Sequence, residues 1–439
     1  MKFSNLPLSL TDMSAPVIGI ASRTQTPKGL RLHIGLFGRR NAGKSSLINA
    51  LTNQKIAIVS DVPGTTTDPV EKACELAPIG PVVFIDTAGV DDVGELGGLR
   101  TERSLAVLGW VDVALIVCDA KALTESELEL IRTVKSTATP TVVVLNKADT
   151  ADAKELIATQ EQVRSLGYEP VTVCASQKLN IDAVREAIVK LAQNAVEPDL
   201  PLLGDLVHPG DTVMLVTPID TGAPKGRMIL PQVQAIREVL DADAKCIVVR
   251  ENRLAETLTN EKEPPAFVVT DSQVVQSVVA QTPKTIPVTT FSIQMAYSKC
   301  DLVEMARGAA MIDFLRPGDK VMICETCSHH PQPDDIGRKK LPRWLAKKVG
   351  GELDIEVVVG KDFPVDLTPY KLILQCGGCV VTRRHMLTRL AQAKRQNIPM
   401  TNYGVAISHL QGVLERALEL HPKALKAFHE AHEIFANHF

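Results

Sequence analysis

The sequence predicts an α/β chain of three modules: a larger, mainly parallel sheet covered on both faces, then two smaller α/β units. Three observations predict it. The chain is 439 residues long, strand-like apolar runs alternate with helical patterns from Leu32 onward, and the Pro-bearing stretch EPDLPLLGDLVHPGD interrupts that rhythm near residue 196. The length suits about three folding units, each able to bury its own core.

The elements follow in order. Residues 1–30 are polar and rich in Pro, Ser and Thr, and read as an irregular lead-in. Strands are expected at 32–37, 82–85, 113–117, 142–145 and 171–174, with helices at 45–51, 125–135, 154–166 and 181–193, giving a first module over 31–195. The second, 196–290, carries expected strands at 212–216, 246–249 and 266–269, a helix at 232–240 and a short one starting near Arg253. The third, 291–439, carries strands at 320–323, 355–359 and 371–374 and helices at 301–314, 385–396 and 410–420. The histidines His421, His429, His432 and His438 fall in a polar terminal helix and read as solvated.

Composition excludes several classes. With 48 Lys+Arg against 51 Asp+Glu the net charge is -3, so no bulk attraction to nucleic acid or anionic lipid is expected. No apolar run reaches the roughly 20 residues that cross a bilayer, and the opening MKFSNLPLSLTDMSAP lacks the long apolar core of a secretion signal. The expectation is cytoplasmic residence, with neither nucleic acid nor membrane as partner. Nine cysteines, an odd number spread over a long chain, argue against a disulfide framework.

The stretch from Gly38 to Ser45 fits G-x-x-x-x-G-K-[ST] between an expected strand and an expected helix. Backbone N–H groups of such a turn, Gly43 and Ser46 included, and the positive helix end can surround a triphosphate. Lys44 is placed to approach the β and γ phosphates, and the Ser45 hydroxyl to bind Mg²⁺. Asn146-Lys147-Ala148-Asp149 follows another strand, where the Asp149 carboxylate suits the paired N–H donors of guanine, a pair that adenine lacks. The module therefore reads as a P-loop GTPase domain. Asp86-Thr87-Ala88-Gly89 supplies a carboxylate for the Mg²⁺ shell and an amide for the γ phosphate, and among Thr65, Thr66 and Thr67 the Thr66 hydroxyl is assigned to complete that shell. The Ala175 amide is assigned to the guanine carbonyl. Val90 stands where many GTPases carry a water-orienting Gln, so hydrolysis is expected to be slow, with Asn41 holding a monovalent cation against the phosphates.

A second chemistry lies late in the chain. Cys327-Ser328-His329 and Cys376-Gly377-Gly378-Cys379 each follow an expected strand, and such a set of soft ligands selects an iron-sulfur cluster or zinc. A tetrahedral zinc on Cys327, Cys376, Cys379 and His329 fits the spacing as well, and Cys324 allows a four-thiolate site.

Taken together, the GTPase motifs, the Gly64-Thr65-Thr66-Thr67-Asp68 stretch and C-x-H followed after 46 residues by C-x-x-C resemble the HydF family of [FeFe]-hydrogenase maturation GTPases. The resemblance covers nearly all residues after about position 28 and implies several things. It assigns a [4Fe-4S] cluster to Cys327, Cys376 and Cys379 with a replaceable fourth position, and a transient diiron precursor bearing CO and CN⁻. It makes the middle module a dimerisation domain of a homodimer and the last module the cluster-binding domain. It also implies potassium stimulation at Asn41, and radical-SAM hydrogenase maturases and apo-[FeFe]-hydrogenase as partners. The family often has His before the C-x-x-C pair; here Gln375 stands there, leaving His329, Cys324, water or another residue as fourth ligand. The alternative is a tRNA- or ribosome-associated GTPase with a structural zinc domain.

Overall fold

The computed structural model describes residues 28–52, 70–87, 106–137, 139–194, 200–219, 228–326, 335–361 and 363–438. Its first sheet has six strands in the order β2-β3-β1-β4-β5-β6. These are β1 (Leu32–Phe37), β2 (Val70–Leu76), β3 (Gly80–Asp86), β4 (Val113–Asp119), β5 (Thr141–Asn146) and β6 (Val171–Thr172). All pairings are parallel except that of β2 with β3.

The apolar strands follow from cover on both faces. Ile34, Leu36, Val82 and Phe84 pack with Leu47, Ile48 and Leu51 of α1 (Lys44–Thr52). On the other face Phe37, Val83, Ile85 and Ile116 meet Leu130, Ile131 and Val134 of α2 (Glu125–Ser136) and Val163 of α3 (Ala153–Ser165). Capping boxes, Thr124 with Glu127 and Asp152 with Glu155, fix where α2 and α3 begin by satisfying their first N–H groups. α4 (Ile181–Asn194) returns to the first face through Val184 and Ile188.

The second sheet is all parallel, ordered β10-β9-β7-β8 from β7 (Thr212–Val216), β8 (Lys245–Val249), β9 (Phe267–Thr270) and β10 (Val288–Thr290). Its helices are α5 (Leu230–Asp241), α6 (Leu254–Asn260) and α7 (Val275–Gln281). The third, ordered β12-β11-β13-β14, is also parallel and comprises β11 (Lys320–Glu325), β12 (Asp354–Val359), β13 (Leu372–Gln375) and β14 (Met400–Asn402). Between the two sheets, α8 (Phe291–Lys299) serves both cores: Phe291 and Met295 face the second, Ile293 and Ala296 the third. The remaining helices are α9 (Leu302–Ala309), α10 (Leu341–Val349), α11 (Arg383–Arg395), α12 (Tyr403–Leu410), α13 (Leu414–Ala417) and α14 (Pro422–Ala436). Among the described residues no helix is long and apolar enough to cross a membrane.

Three expectations change. The helix expected at 410–420 is divided, α12 ending at Leu410 and α13 spanning only four residues, because Gly412 between them takes φ +72°. The strand expected at 171–174 stops at Thr172, and Cys174 makes an isolated bridge to Leu179. His421 is not a solvated helix residue. It precedes α14, packs against the Tyr297 ring at a centroid distance of 4.9 Å and a tilt of 37°, and hydrogen-bonds Gln294.

The first and third modules touch. Lys361, just beyond β12, pairs with Glu71 of β2, and its ammonium lies 3.2 Å from the centroid of the Trp110 ring. The Trp110 ring in turn stacks on His385 and meets His33 edge-on. Arg384 donates to Thr139 Oγ1 at 3.0 Å. The lead-in ends in this contact as well, since Lys28 pairs with Glu71 and the Gly29 carbonyl accepts from Lys299.

Burial holds the imidazoles of His33 and His421 down to about 4. The unfolded chain binds protons at these rings near pH 6.5 while the folded chain does not, so the stability they support is full above pH 6.5 and is lost as pH falls towards 4. Each is expected to contribute about 2–3 kcal/mol of that loss. Urea unfolding of wild type and His421→Gln at pH 7 and 4.5 checks this, and an equal pH slope in both refutes it.

Candidate functional site

The turn after β1 is shaped by two positions that tolerate only glycine. Gly38 has φ +142°, and a Cβ there would lie 2.2 Å from the Val117 carbonyl oxygen; Gly43 has φ +95°, with a Cβ 2.1 Å from Asn146 Nδ2. Asn41 is exposed and left-handed at φ 60°. Lys44 is buried, its ammonium donating to the Gly38 and Arg39 carbonyls at 2.8 and 3.0 Å, so the cation lies over the mouth of the loop. The Ser45 hydroxyl donates to Asp86 Oδ2 at 3.1 Å, which brings the two expected Mg²⁺ groups together; Ser46 is exposed in the first turn of α1. Burial pushes the Asp86 carboxyl up, against the pull of Lys44 and Ser45. A divalent cation would relieve that cost.

The base-reading residues are joined to this loop. Asn146 donates to the Ala42 carbonyl at 2.9 Å and accepts from the Ala175 amide at 3.0 Å. The Ala175 N–H expected to meet the guanine carbonyl is therefore engaged by Asn146 in this structure. Asp149 is exposed and accepts from Cys174 Sγ at 3.1 Å and Gln177 Nε2 at 3.2 Å, leaving its carboxylate at the surface of the site. Lys147, at φ 62°, pairs with Asp119 at 3.2 Å. Sequence reasoning missed Asp119: it also holds Arg39 at 3.1 Å and so ties the phosphate turn to the base-reading turn. Its place as the charged last residue of an otherwise apolar strand was the available signal. Thr66 and Gly89 lie outside the described residues.

At the third sheet, Cys324 faces Gln375 across the β11–β13 ladder, and the Cys376 N–H donates to the Cys324 carbonyl at 2.9 Å. Cys324 is wholly buried in the apolar core and burial pushes its thiol up to about 12, so it reads as a packing residue. Cys376 is half-buried, and its sulfur accepts from the Thr326 amide at 3.2 Å and from Gln375 Nε2 at 3.5 Å, with the Thr326 hydroxyl in hydrogen-bond contact at 3.1 Å. Burial raises the Cys379 thiol to about 11. Cys327 and His329 lie outside the described residues. Among those described, no group of three or more His, Cys, Asp or Glu is arranged to hold a metal. The sequence also gave no hint of Arg389, which reaches this loop from α11, because only the fold brings that helix to it.

Comparison with known proteins follows the same division. Residues 33–147 match the model of the 50S ribosome-binding GTPase family, 202–300 the hydrogen maturase F dimerization domain and 303–420 the hydrogen maturase F tetramerization domain. The tRNA modification GTPase MnmE of Trichormus variabilis is 38% identical over 167 residues, which is 37% of this chain and 34% of that protein. GTPase Der of Wolinella succinogenes is 34% identical over 37% of this chain and 36% of its own length. The chain thus spans about a third of the length of the curated relatives it matches. Among solved structures, a variant of Aquifex aeolicus Era bound to GDP.AlF4- superimposes with a TM-score of 0.33 and 20% identity, over 52% of this chain and 97% of that one. The first module is a P-loop GTPase domain, and the modules behind it match, one after the other, the dimerization and tetramerization domains of hydrogen maturase F: the chain belongs to the HydF family.

Proposed function

We propose that this GTPase is a scaffold and carrier in [FeFe]-hydrogenase maturation, holding a [4Fe-4S] cluster and delivering a diiron precursor to the apo-enzyme. The observation that carries the reading is the pair of N–H donors and the hydroxyl in contact with Cys376 Sγ, at the carboxyl edge of a parallel sheet in a chain with both maturase domains. N–H and O–H groups aimed at sulfur suit a thiolate that ligates iron. Cys376 and Cys379 hold the cluster together with Cys327, and His329 is a candidate for the fourth position. Bound there, the cluster would supply the iron chemistry by which the cargo, a diiron unit carrying CO and CN⁻, is held. Radical-SAM hydrogenase maturases and apo-[FeFe]-hydrogenase are the partners this implies, and the matched dimerization domain supports a homodimer.

In the first module, hydrolysis passes the γ-phosphoryl group of GTP to water, giving GDP and phosphate. Gly38, Gly43, Ser46 and their neighbours present amides to the phosphates, and Lys44 exchanges its loop carbonyls for the β and γ oxygens. Ser45 and Thr66 bind Mg²⁺ directly, Asp86 through water, and the Gly89 amide reads the γ phosphate. Asp149, Asn146, Lys147 and Ala175 select guanine. Asn41 holds K⁺ beside the phosphates, where its charge does part of the work of an arginine finger.

Three outcomes test these assignments. Asp149→Asn is expected to lower kcat/KM for GTP at least tenfold, since it removes charge-assisted bonds of about 1.5–3 kcal/mol, and to favour xanthosine triphosphate; unchanged selectivity removes the assignment. Hydrolysis is expected to be slow in sodium and faster in potassium, with Asn41→Ala abolishing the difference. Anaerobic reconstitution with iron and sulfide is expected to give a brown protein with a reducible [4Fe-4S] EPR signal that exogenous ligands perturb.

The relatives of the GTPase domain favour a second reading, a tRNA- or ribosome-associated GTPase with a structural zinc domain: tRNA modification GTPase, GTPase Der and 50S ribosome-binding GTPase are what this part of the chain matches. Their likeness covers 37% of this chain, and the 50S ribosome-binding GTPase model ends at residue 147, before the dimerization domain at 202–300. A colourless protein with one tightly held zinc per chain after reconstitution, and tRNA or ribosome binding at physiological salt, would establish that reading instead.

A further inference from the structure

Gln375 stands where this family often places a histidine, one residue before the C-x-x-C pair, which raises the question of whether its amide replaces that ring as a ligand. Its surroundings answer through donor and acceptor chemistry. The side chain is wholly buried. Its oxygen accepts from Arg389 Nη1 at 3.0 Å. A guanidinium has donors only, so this contact fixes which way the amide faces: oxygen towards Arg389, nitrogen towards the cysteine loop. Gln375 Nε2 lies 3.4 Å from the Cys324 and Cys376 carbonyls and 3.5 Å from Cys376 Sγ.

Arg389 is itself fixed from three sides. It is 2% exposed, its second terminal nitrogen donates to the Gly360 carbonyl at 2.9 Å, and its guanidinium lies 5.0 Å from the centroid of the Phe363 ring. Such a fork makes its two bonds in one geometry that a lysine cannot reproduce. The only atom of a glutamine that ligates iron well, its oxygen, is thus committed to a buried cation, while its two N–H bonds face the Cys376 sulfur together with the Cys324 and Cys376 carbonyls.

We propose that Gln375, locked by Arg389, is a positioning residue that donates its side-chain N–H to the Cys376 sulfur and stays out of the ligand set, tuning the site rather than closing it. This rests on the cluster reading above. A donor to a ligating sulfur stabilises the more negative, reduced state and so raises the reduction potential.

The test compares wild type with Gln375→Leu, which removes donor and acceptor, and Gln375→Glu, which keeps the shape and the Arg389 partner but removes the N–H. After anaerobic reconstitution, both variants are expected to keep the wild-type iron and sulfide content and EPR g-values, and to shift the reduction potential to more negative values. An unshifted potential in Gln375→Leu overturns the proposal, as does a variant with altered g-values and one more readily lost iron, the signature of a missing ligand. A second measurement needs no cluster. In metal-free, nitrogen-15-labelled protein the Gln375 side-chain amide is expected to exchange with solvent at least tenfold more slowly than in Arg389→Lys, and equal rates overturn the lock. Wild type that takes up no iron defeats the cluster reading, while the exchange comparison still decides whether Arg389 fixes Gln375.

Discussion

Parallel pairing brings the carboxyl ends of adjacent strands to one edge of a sheet, and both candidate sites depend on that constraint. In the first sheet Leu36 lies opposite Asp86, and the Thr87 N–H reaches back to the Leu36 carbonyl. The glycine turn leaving β1 therefore emerges beside the carboxylate leaving β3. In the third sheet Cys324 lies opposite Gln375, so Thr326 and Cys376, the first residues past the ends of β11 and β13, come together at the edge. The apolar faces hold both registers. Ile323 and Leu374 are opposite one another and wholly buried, and a slip of one residue would turn their faces over and carry Cys376 away from Thr326.

What was legible in the sequence follows from how local each feature is. The phosphate turn is eight consecutive residues whose identities are its geometry: glycine at Gly38 and Gly43 because a Cβ would strike Val117 and Asn146, lysine and serine where a helix begins. Runs such as 32–37 and 212–216 were legible to the residue, since strands covered on both faces are apolar throughout. The β2 strand was not, because it lies at the sheet edge and mixes polar with apolar residues without regular alternation, VEKACEL, with only Leu76 buried. The three-residue strands β10 and β14 carry too little pattern for any periodicity to mark them.

At the cysteine site the spacing identified Cys376 and Cys379 but could not separate Cys324 from them. Burial does, placing Cys324 inside the apolar core of the third sheet. The residues that shape the surroundings of Cys376 are Thr326, two residues beyond Cys324, and Arg389, on a helix thirteen residues further along the chain than Cys376. Neither belongs to a motif, because each acts through a contact that exists only after the sheet and α11 have docked.

The contact between the first and third modules is small in residues but not in chemistry. Burial alone would raise the Glu71 carboxyl, yet Lys28 and Lys361 hold it below its ordinary range, so the charge remains and must be matched. Lys361 matches it while lying over the Trp110 ring, an arrangement that favours an ammonium over a neutral side chain of equal length. A partly buried pair of this kind contributes little net stability, because desolvation offsets much of the attraction, but removing one member leaves the other costly. It therefore acts through geometry more than through strength. Glu71 stands next to Val70, which pairs with Asp86 at the phosphate site, and Lys361 follows the Gly360 carbonyl that receives Arg389. The modules thus meet one residue from the strand partner of Asp86 on one side and one residue from the carbonyl that receives Arg389 on the other.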